Sequence, residues 1–101
     1  MAAKSWLLAA LLSLSGCAAL NQLGGLSEAE QGSFDAHLNL ALRYIEAGNR
    51  ELANIHLNKA KAVDADAAQL AHGYALLYQM EGDSKLASQF YRRAIALQPD
   101  Y

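Results

Sequence analysis

The sequence predicts an all-α protein built from two consecutive helical hairpins. Composition is the first indication: 53% of the residues are hydrophobic, mostly Ala and Leu, with a single Pro, which suits short helices that pack closely. An internal repeat is the second, because the segments at 40–63 and 74–97 match at a separation of 34 residues. The third is a glycine inside each segment, Gly48 and Gly82, at the place where a first helix would end.

The N-terminal segment, residues 1–16, has the pattern of a signal peptide. Lys4 supplies a positive charge, and a mostly apolar run follows at 5–14, well short of the roughly 20 residues that span a bilayer. The chain's one cysteine, Cys17, comes directly after this segment. Two alternatives are open at this point: cleavage by the ordinary signal peptidase after Ala19, and retention of the segment as an N-terminal anchor.

The residues around the cysteine resemble the bacterial lipobox: Leu14, Ser15, Gly16 and Cys17. In that motif an apolar residue and two small residues precede a cysteine whose sulfur receives a diacylglyceryl group. A thiolate is a strong nucleophile, and several acyl chains hold a protein to a membrane where one chain holds it only reversibly. The resemblance implies lipidation of Cys17 and loss of residues 1–16. Because Ala18, and not Asp, follows the cysteine, it also implies an outer-membrane location.

Residues 17–32 are expected to form a lipidated, flexible tether. Small and polar residues with three glycines replace the apolar run, and no helical period is sustained. A flexible chain of this length reaches on the order of 20–25 Å, so the folded part would lie close to the lipid. Ser27 and Glu30 have the spacing of a capping box, which would start the first helix before the end of the tether.

The repeat domain is predicted at 33–101 and comprises two units, at about 34–67 and 68–101. Small residues occupy positions where helices must approach closely, because bulky side chains there would wedge the helices apart. Large aromatic residues stand beside each turn. Six residues of the first unit recur 34 positions later in the second: Ala41 and Ala75, Tyr44 and Tyr78, Gly48 and Gly82, Leu52 and Leu86, Ala53 and Ala87, Ala60 and Ala94.

The turn chemistry is the same in both units. A glycine past a helix end supplies positive φ, and Asn49 and Asp83 follow as N-caps of the second helices. This order of alanine, aromatic and glycine residues over 34 positions resembles the tetratricopeptide repeat (TPR). The resemblance implies helix-turn-helix units that form the start of an α-solenoid. The alternative is a plain array of four alanine-rich helices.

The sequence contains no recognisable catalytic or metal-binding constellation. His37, His56 and His72 are 19 and 16 residues apart, without companions at zinc-site spacing. No metal site is predicted, and His56, which corresponds to Phe90, is interpreted as a packing residue. Phosphate-binding loops and nucleophile elbows are missing, and a net charge of −2 gives no electrostatic case for nucleic acid. We expect a binding protein without a cofactor, and not an enzyme.

The first helix of each TPR unit usually lines the concave side of the solenoid, where peptides bind. Packing of Leu38 and Leu42 against the tether or a neighbouring helix is an almost equal alternative for that stripe. The predicted peptide-binding stripe has six members at helical spacing: Leu38, Leu42, Ile45, His72, Leu76 and Gln79.

The last helix carries a second apolar stripe, formed by Leu86, Phe90 and Leu97. In a repeat protein such a stripe is covered by a following unit or by a capping helix. The chain stops at Tyr101, where a third unit would begin. We therefore expect either a truncated gene product or partial sequence of a longer repeat protein, or a small protein completed by self-association or by a partner through this uncapped helix.

The whole arrangement resembles the N-terminal part of the type IV pilus biogenesis and stability lipoproteins, the TPR pilotins. The resemblance rests on the lipobox, the tether and the repeat segments "LALRYIEAGN" and "YQMEGDSKLASQFYRRAIALQPDY". The resemblance implies an outer-membrane lipoprotein that binds secretin subunits and supports their localisation and multimerisation. Two alternatives are open: a TPR lipoprotein scaffold for cell-wall synthesis or outer-membrane protein insertion, and a regulatory module for an enzyme on a separate chain.

Overall fold

A computed structural model of the chain describes residues 25–100, and all regular secondary structure in this range is helical. Helices α1 and α2 pack together as one hairpin, helices α3 and α4 form a second, and α3 also contacts both helices of the first hairpin. This arrangement confirms the predicted all-α fold of TPR-like hairpins. The helices are α1 (Glu28–Glu46), α2 (Arg50–Val63), α3 (Ala68–Glu81) and α4 (Ser84–Leu97).

Helix α1 begins at Glu28, inside the stretch at 17–32 that the sequence assigned to the tether. The backbone N–H of Glu30 donates to Ser27 Oγ at 3.1 Å, and the N–H of Ser27 donates to Glu30 Oε1 at 3.4 Å. These two bonds form the predicted capping box, which satisfies N–H groups that the first helical turn leaves unpaired. The predicted signal peptide at 1–16, the lipobox with Cys17, and the remainder of the tether up to residue 24 lie outside the described residues.

The turn of the first hairpin depends on Gly48, which has a φ of 74°, a backbone conformation that favours glycine. The N–H of Asn49 donates to the carbonyl of Tyr44 at 2.8 Å, as in a Schellman motif. The Asn49 side chain then accepts from the N–H of Leu52 at 3.1 Å and caps α2. The second hairpin repeats each of these features 34 residues later, through Gly82, Asp83, Tyr78 and Leu86.

The core lies within and between the two hairpins. Leu57 and Leu77 are its largest fully enclosed side chains. The alanines that the sequence placed at helix crossings are buried, which lets the helix backbones approach closely. Each of them is at most 5% exposed: Ala41, Ala53, Ala60, Ala75, Ala87 and Ala94.

Gly73 on α3 sets the separation between the hairpins. A Cβ atom at this position would lie 2.8 Å from Leu57 Cδ2 and 3.3 Å from Leu38 Cδ1. Leu57 is 0% exposed and Leu38 is 8% exposed, so neither side chain has open space to move into. The missing side chain therefore allows α3 to pack closely against the first hairpin.

The predicted apolar stripe on α4 is covered in part by the second hairpin itself. The Phe90 ring lies nearly parallel to the rings of Tyr74 and Tyr78, with centroids 5.3 and 5.4 Å away. Phe90 thus packs on α3, and the prediction that it lies in an uncovered stripe was wrong. Helical spacing alone does not distinguish the face of α4 that contacts α3 from the face that a following unit would cover. Leu86 is partly buried, whereas Leu97 is 41% exposed.

We expect Gly73→Leu to lower the free energy of unfolding, because overpacking a core costs about 1–3 kcal/mol. A urea titration followed by circular dichroism measures the change. Gly32→Leu is the matched control, since a Cβ at Gly32 on α1 meets nothing within 4 Å. Both variants gain the same helix propensity, so equal unfolding midpoints for the two would contradict the role given to Gly73.

Candidate protein-binding faces

The α1 part of the predicted peptide-binding stripe faces mostly inward. Leu38 is buried, and its Cδ1 lies next to Gly73 of α3. Leu42 and Ile45 are partly buried and pack against the core. The structure therefore gives these three residues packing roles, and Leu38 contacts the neighbouring helix as the alternative interpretation required.

The α3 part of the stripe is more accessible and more polar. Gln79 is exposed, and its Oε1 accepts a hydrogen bond from the Tyr91 hydroxyl at 2.5 Å. The ring of His72 meets the Tyr91 ring edge-on, with centroids 5.6 Å apart. Leu76, like His72, is partly buried. Tyr91 of α4 therefore joins His72 and Gln79 into one surface of mixed polar and aromatic character.

The two units thus present different groups at equivalent positions. Subtracting 34 from His72 and Gln79 gives Leu38 and Ile45. Leu38 is buried next to Gly73 of the second hairpin, and Ile45 is partly buried against the core, whereas His72 is partly buried and Gln79 is exposed. Peptide binding by the six members of the stripe stays a prediction.

A cleft of about 340 Å³ opens between α2 and α4, with α3 as its floor. It exists because α2 and α4 do not contact each other within the described residues, although both lie beside α3. Helix α2 contributes Asn54, Asn58 and Lys61 to one wall, and α4 contributes Arg93 to the other. Phe90 of α4 stacks on Tyr74 and Tyr78 and forms the floor with them. Polar and cationic groups therefore surround an aromatic floor.

The floor of the cleft is fixed by a hydrogen bond between helices. The hydroxyl of Tyr74, a residue only 8% exposed, donates to Asn58 Oδ1 at 2.6 Å. Burial, followed by the neighbouring Tyr78, raises the pKa of Tyr74, so this hydroxyl stays a donor at neutral pH. The Asn58 oxygen accepts that bond with one of its two lone pairs, and both N–H donors of its NH₂ group stay available to a ligand.

Two of the wall residues have no partner among residues 25–100. The side chains of Lys61 and Asn54 make no hydrogen bond or ion pair there. Arg93 Nη2 lies 3.4 Å from Asp66 Oδ1, but the two side chains are 53% and 83% exposed. Exposed pairs of this kind contribute little to stability, so Arg93 can exchange this partner at small cost.

A second depression continues the cleft along α2. It shares Asn54 and Tyr78 with the cleft and is flanked by the ion pair of Arg50 and Glu81, whose Nε and Oε1 atoms are 3.6 Å apart. The combined groove follows most of α2, a helix of 14 residues and hence about 21 Å long. Sequence patterns did not single out this groove, because its residues come from three helices.

A pair of histidines joins α1 to α2 at the other side of the first hairpin. His37 Nδ1 and His56 Nδ1 lie 3.1 Å apart, so one nitrogen carries the proton and the other accepts it. The His56 ring also lies nearly parallel to the Tyr44 ring, with centroids 5.6 Å apart. Phe90 contacts Tyr78 in the same way, which confirms His56 as a packing residue.

Two further features are missing from residues 25–100. No three His, Cys, Asp or Glu side chains in this range come together in a way that could hold a metal ion. None of the helices in the range combines the length and apolar character needed to cross a bilayer.

The chain is similar in sequence to a known pilus assembly protein. Over 62 residues, this chain is 39% identical to the type IV pilus assembly protein PilF of Pseudomonas aeruginosa. The aligned region covers 61% of this chain and 25% of PilF, so the chain spans about a quarter of the length of that relative. No protein family model and no solved structure matches the sequence.

We expect the stability of the first hairpin to depend on pH through His56. Burial first, then Lys59 and His37, lower the pKa of His56 below 6.5. Protonation is therefore disfavoured in the folded state, so the free energy of unfolding is highest above pH 6.5 and falls as the pH drops from 6.5 towards the folded-state pKa.

Thermal unfolding of the wild type and His56→Phe at about pH 7.5 and about pH 5.5 measures this dependence. The variant carries the aromatic residue of the second unit at this position, and it should lose less stability on acidification than the wild type. Lys59→Gln should show an intermediate loss, because it removes only one of the causes. Parallel pH profiles for the wild type and His56→Phe would contradict the assignment.

Proposed function

We propose that this chain is an adaptor in type IV pilus assembly that binds secretin subunits and supports their localisation and multimerisation at the outer membrane. The observation that carries the proposal is the 39% identity to the type IV pilus assembly protein PilF. The lipobox resemblance at Leu14–Cys17 supports the membrane location.

The fold supports a binding role and not a catalytic one. Two stacked helical hairpins offer accessible faces, and repeat folds of this type commonly bind peptides along such faces. In residues 25–100, the groups on these faces include amides, aromatic rings, exposed cations and carboxylates. They can recognise a protein segment without any chemical step.

The proposed mechanism is tethering. A lipidated Cys17 would hold the hairpins beside the membrane, and the linked domain would meet its partner at a high effective concentration. A weak contact then suffices to retain secretin subunits, because the second binding event occurs within an already anchored complex. The protein would therefore act by being held beside the membrane and not by catalysing a reaction.

Capture from detergent extract tests the secretin proposal. We expect tagged full-length chain to co-purify the secretin subunit, and we expect a deletion strain to form fewer secretin multimers than its parent. A tagged chain carrying Gly73→Leu is the matched control, because it disturbs the stacking of the hairpins. Normal secretin multimers in the deletion strain, together with no co-purification, would overturn the proposal.

Metabolic labelling with radioactive palmitate tests the anchor. We expect Cys17→Ala to abolish labelling and to move the protein out of the membrane fraction, since the thiol is the group that the lipid would modify. Ser13→Ala, one residue before the lipobox, serves as the control and should keep the label. Label that persists in Cys17→Ala would refute lipidation at this residue.

A further inference from the structure

We propose that the cleft between α2 and α4 binds an extended segment of a partner protein through an acidic side chain of that segment. The proposal rests on the binding role proposed above, but it does not depend on the secretin being the partner. It also places recognition on the α2 and α4 side of the hairpins, away from the stripe of α1 and α3.

The spacing of the two asparagines favours an extended chain. Asn54 and Asn58 are four residues apart on α2, so their positions differ by about 6 Å along the helix axis. Groups on the same side of an extended peptide recur every second residue, at about 6.6 Å. Two successive amides on the cleft wall can therefore pair with two successive peptide groups on one edge of the segment.

The hydrogen-bonding state of these asparagines fits peptide groups. The Asn58 oxygen already accepts from Tyr74, which leaves its NH₂ group to donate to a peptide carbonyl. Asn54 has no partner in residues 25–100, so its amide can both donate and accept. A peptide backbone presents donors and acceptors in alternation and matches this pair.

The two cations on the cleft walls favour a carboxylate as part of the ligand. Lys61 on one wall has no partner among the described residues, and Arg93 on the other wall is held only by the exposed Asp66. A carboxylate in the cleft would meet cations from both walls, whereas a neutral or cationic group would leave Lys61 unpaired. Because Asp66 competes for Arg93, substitution of Lys61 is the clearer test of carboxylate binding.

The floor and the open ends determine the rest of the ligand. The rings of Tyr74, Phe90 and Tyr78 form an apolar surface for alternate side chains of the segment. The groove continues past Asn54 towards Arg50, Glu51 and Glu81, so a bound chain can run on in that direction. Because Glu81 pairs with Arg50, the acidic side chain of the segment belongs at the Lys61 and Arg93 end of the groove. This continuity favours an acidic side chain within a segment over the terminal carboxylate of a protein.

Three fluorescein-labelled hexapeptides test the proposal by fluorescence anisotropy with the full chain in detergent. The first alternates Val and Asp and ends in an amide, so that valines can face the floor and aspartates the rim. The second alternates Val and Asn with an amide end, and the third has the second sequence with a free carboxylate. We expect the first to bind about fivefold or more tightly than the second, as one or more ion pairs allow.

Two variants of exposed lysines on α2 locate the binding. Lys61→Gln should weaken binding of the Val-Asp peptide about fivefold, whereas Lys59→Gln, with the same loss of charge outside the cleft, should leave it unchanged. Nitrogen-15 spectra provide a second measurement, because the side-chain amide signals of Asn54 and Asn58 should shift on addition of the peptide.

Three results would overturn the proposal. The Val-Asn amide could bind as tightly as the Val-Asp peptide, the two lysine variants could lose affinity equally, or only the peptide with a free terminal carboxylate could bind. The last result would assign the cleft to a protein terminus. Peptide binding, with no secretin capture and normal secretin multimers in the deletion strain, would leave the cleft supported and overturn the secretin proposal alone. Secretin capture without peptide binding would do the reverse.

Discussion

The close approach at Gly73 is the contact on which the rest of the structure depends. Leu38 of α1 and Leu57 of α2 both pack where a Cβ of residue 73 would lie, so α3 is held against the first hairpin at short distance. Helix α4 then packs on α3 without reaching α2. The cleft between α2 and α4 is therefore a direct consequence of how the hairpins stack, and its floor moves only if this contact changes.

Local features of the fold could be predicted because they depend on residues a few positions apart. The capping box of Ser27 and the turn at Gly48 need only a short stretch of chain, and the 34-residue period shows that the second hairpin repeats them. The comparison of the two units did not identify Gly73 as a packing residue, because its counterpart in the first unit is Asn39, an exposed residue. The contact between hairpins has no equivalent within a single unit, and sequence matching detects only what recurs.

The same limit explains the outcome for the candidate site. The predicted stripe assumed that residues 34 positions apart share an environment, yet Leu38 is buried next to Gly73 of the second hairpin, whereas His72 is only partly buried. The cleft could have been inferred only from positions at which the two units carry different residues. Tyr74 and Phe90 replace Leu40 and His56, and these replacements build the aromatic floor that faces α2.

The character of the cleft also bears on how an adaptor of this kind could work. Its cations are exposed, and exposed ion pairs contribute at most about 1 kcal/mol each, so the cleft alone would hold a segment weakly. Weak binding suits a protein that is anchored beside its partner, because tethering raises the effective concentration without any new contact. Under the proposed function, weak binding would also permit release once secretin subunits assemble with one another. A deep apolar pocket would bind a segment more tightly and release it more slowly than an open groove.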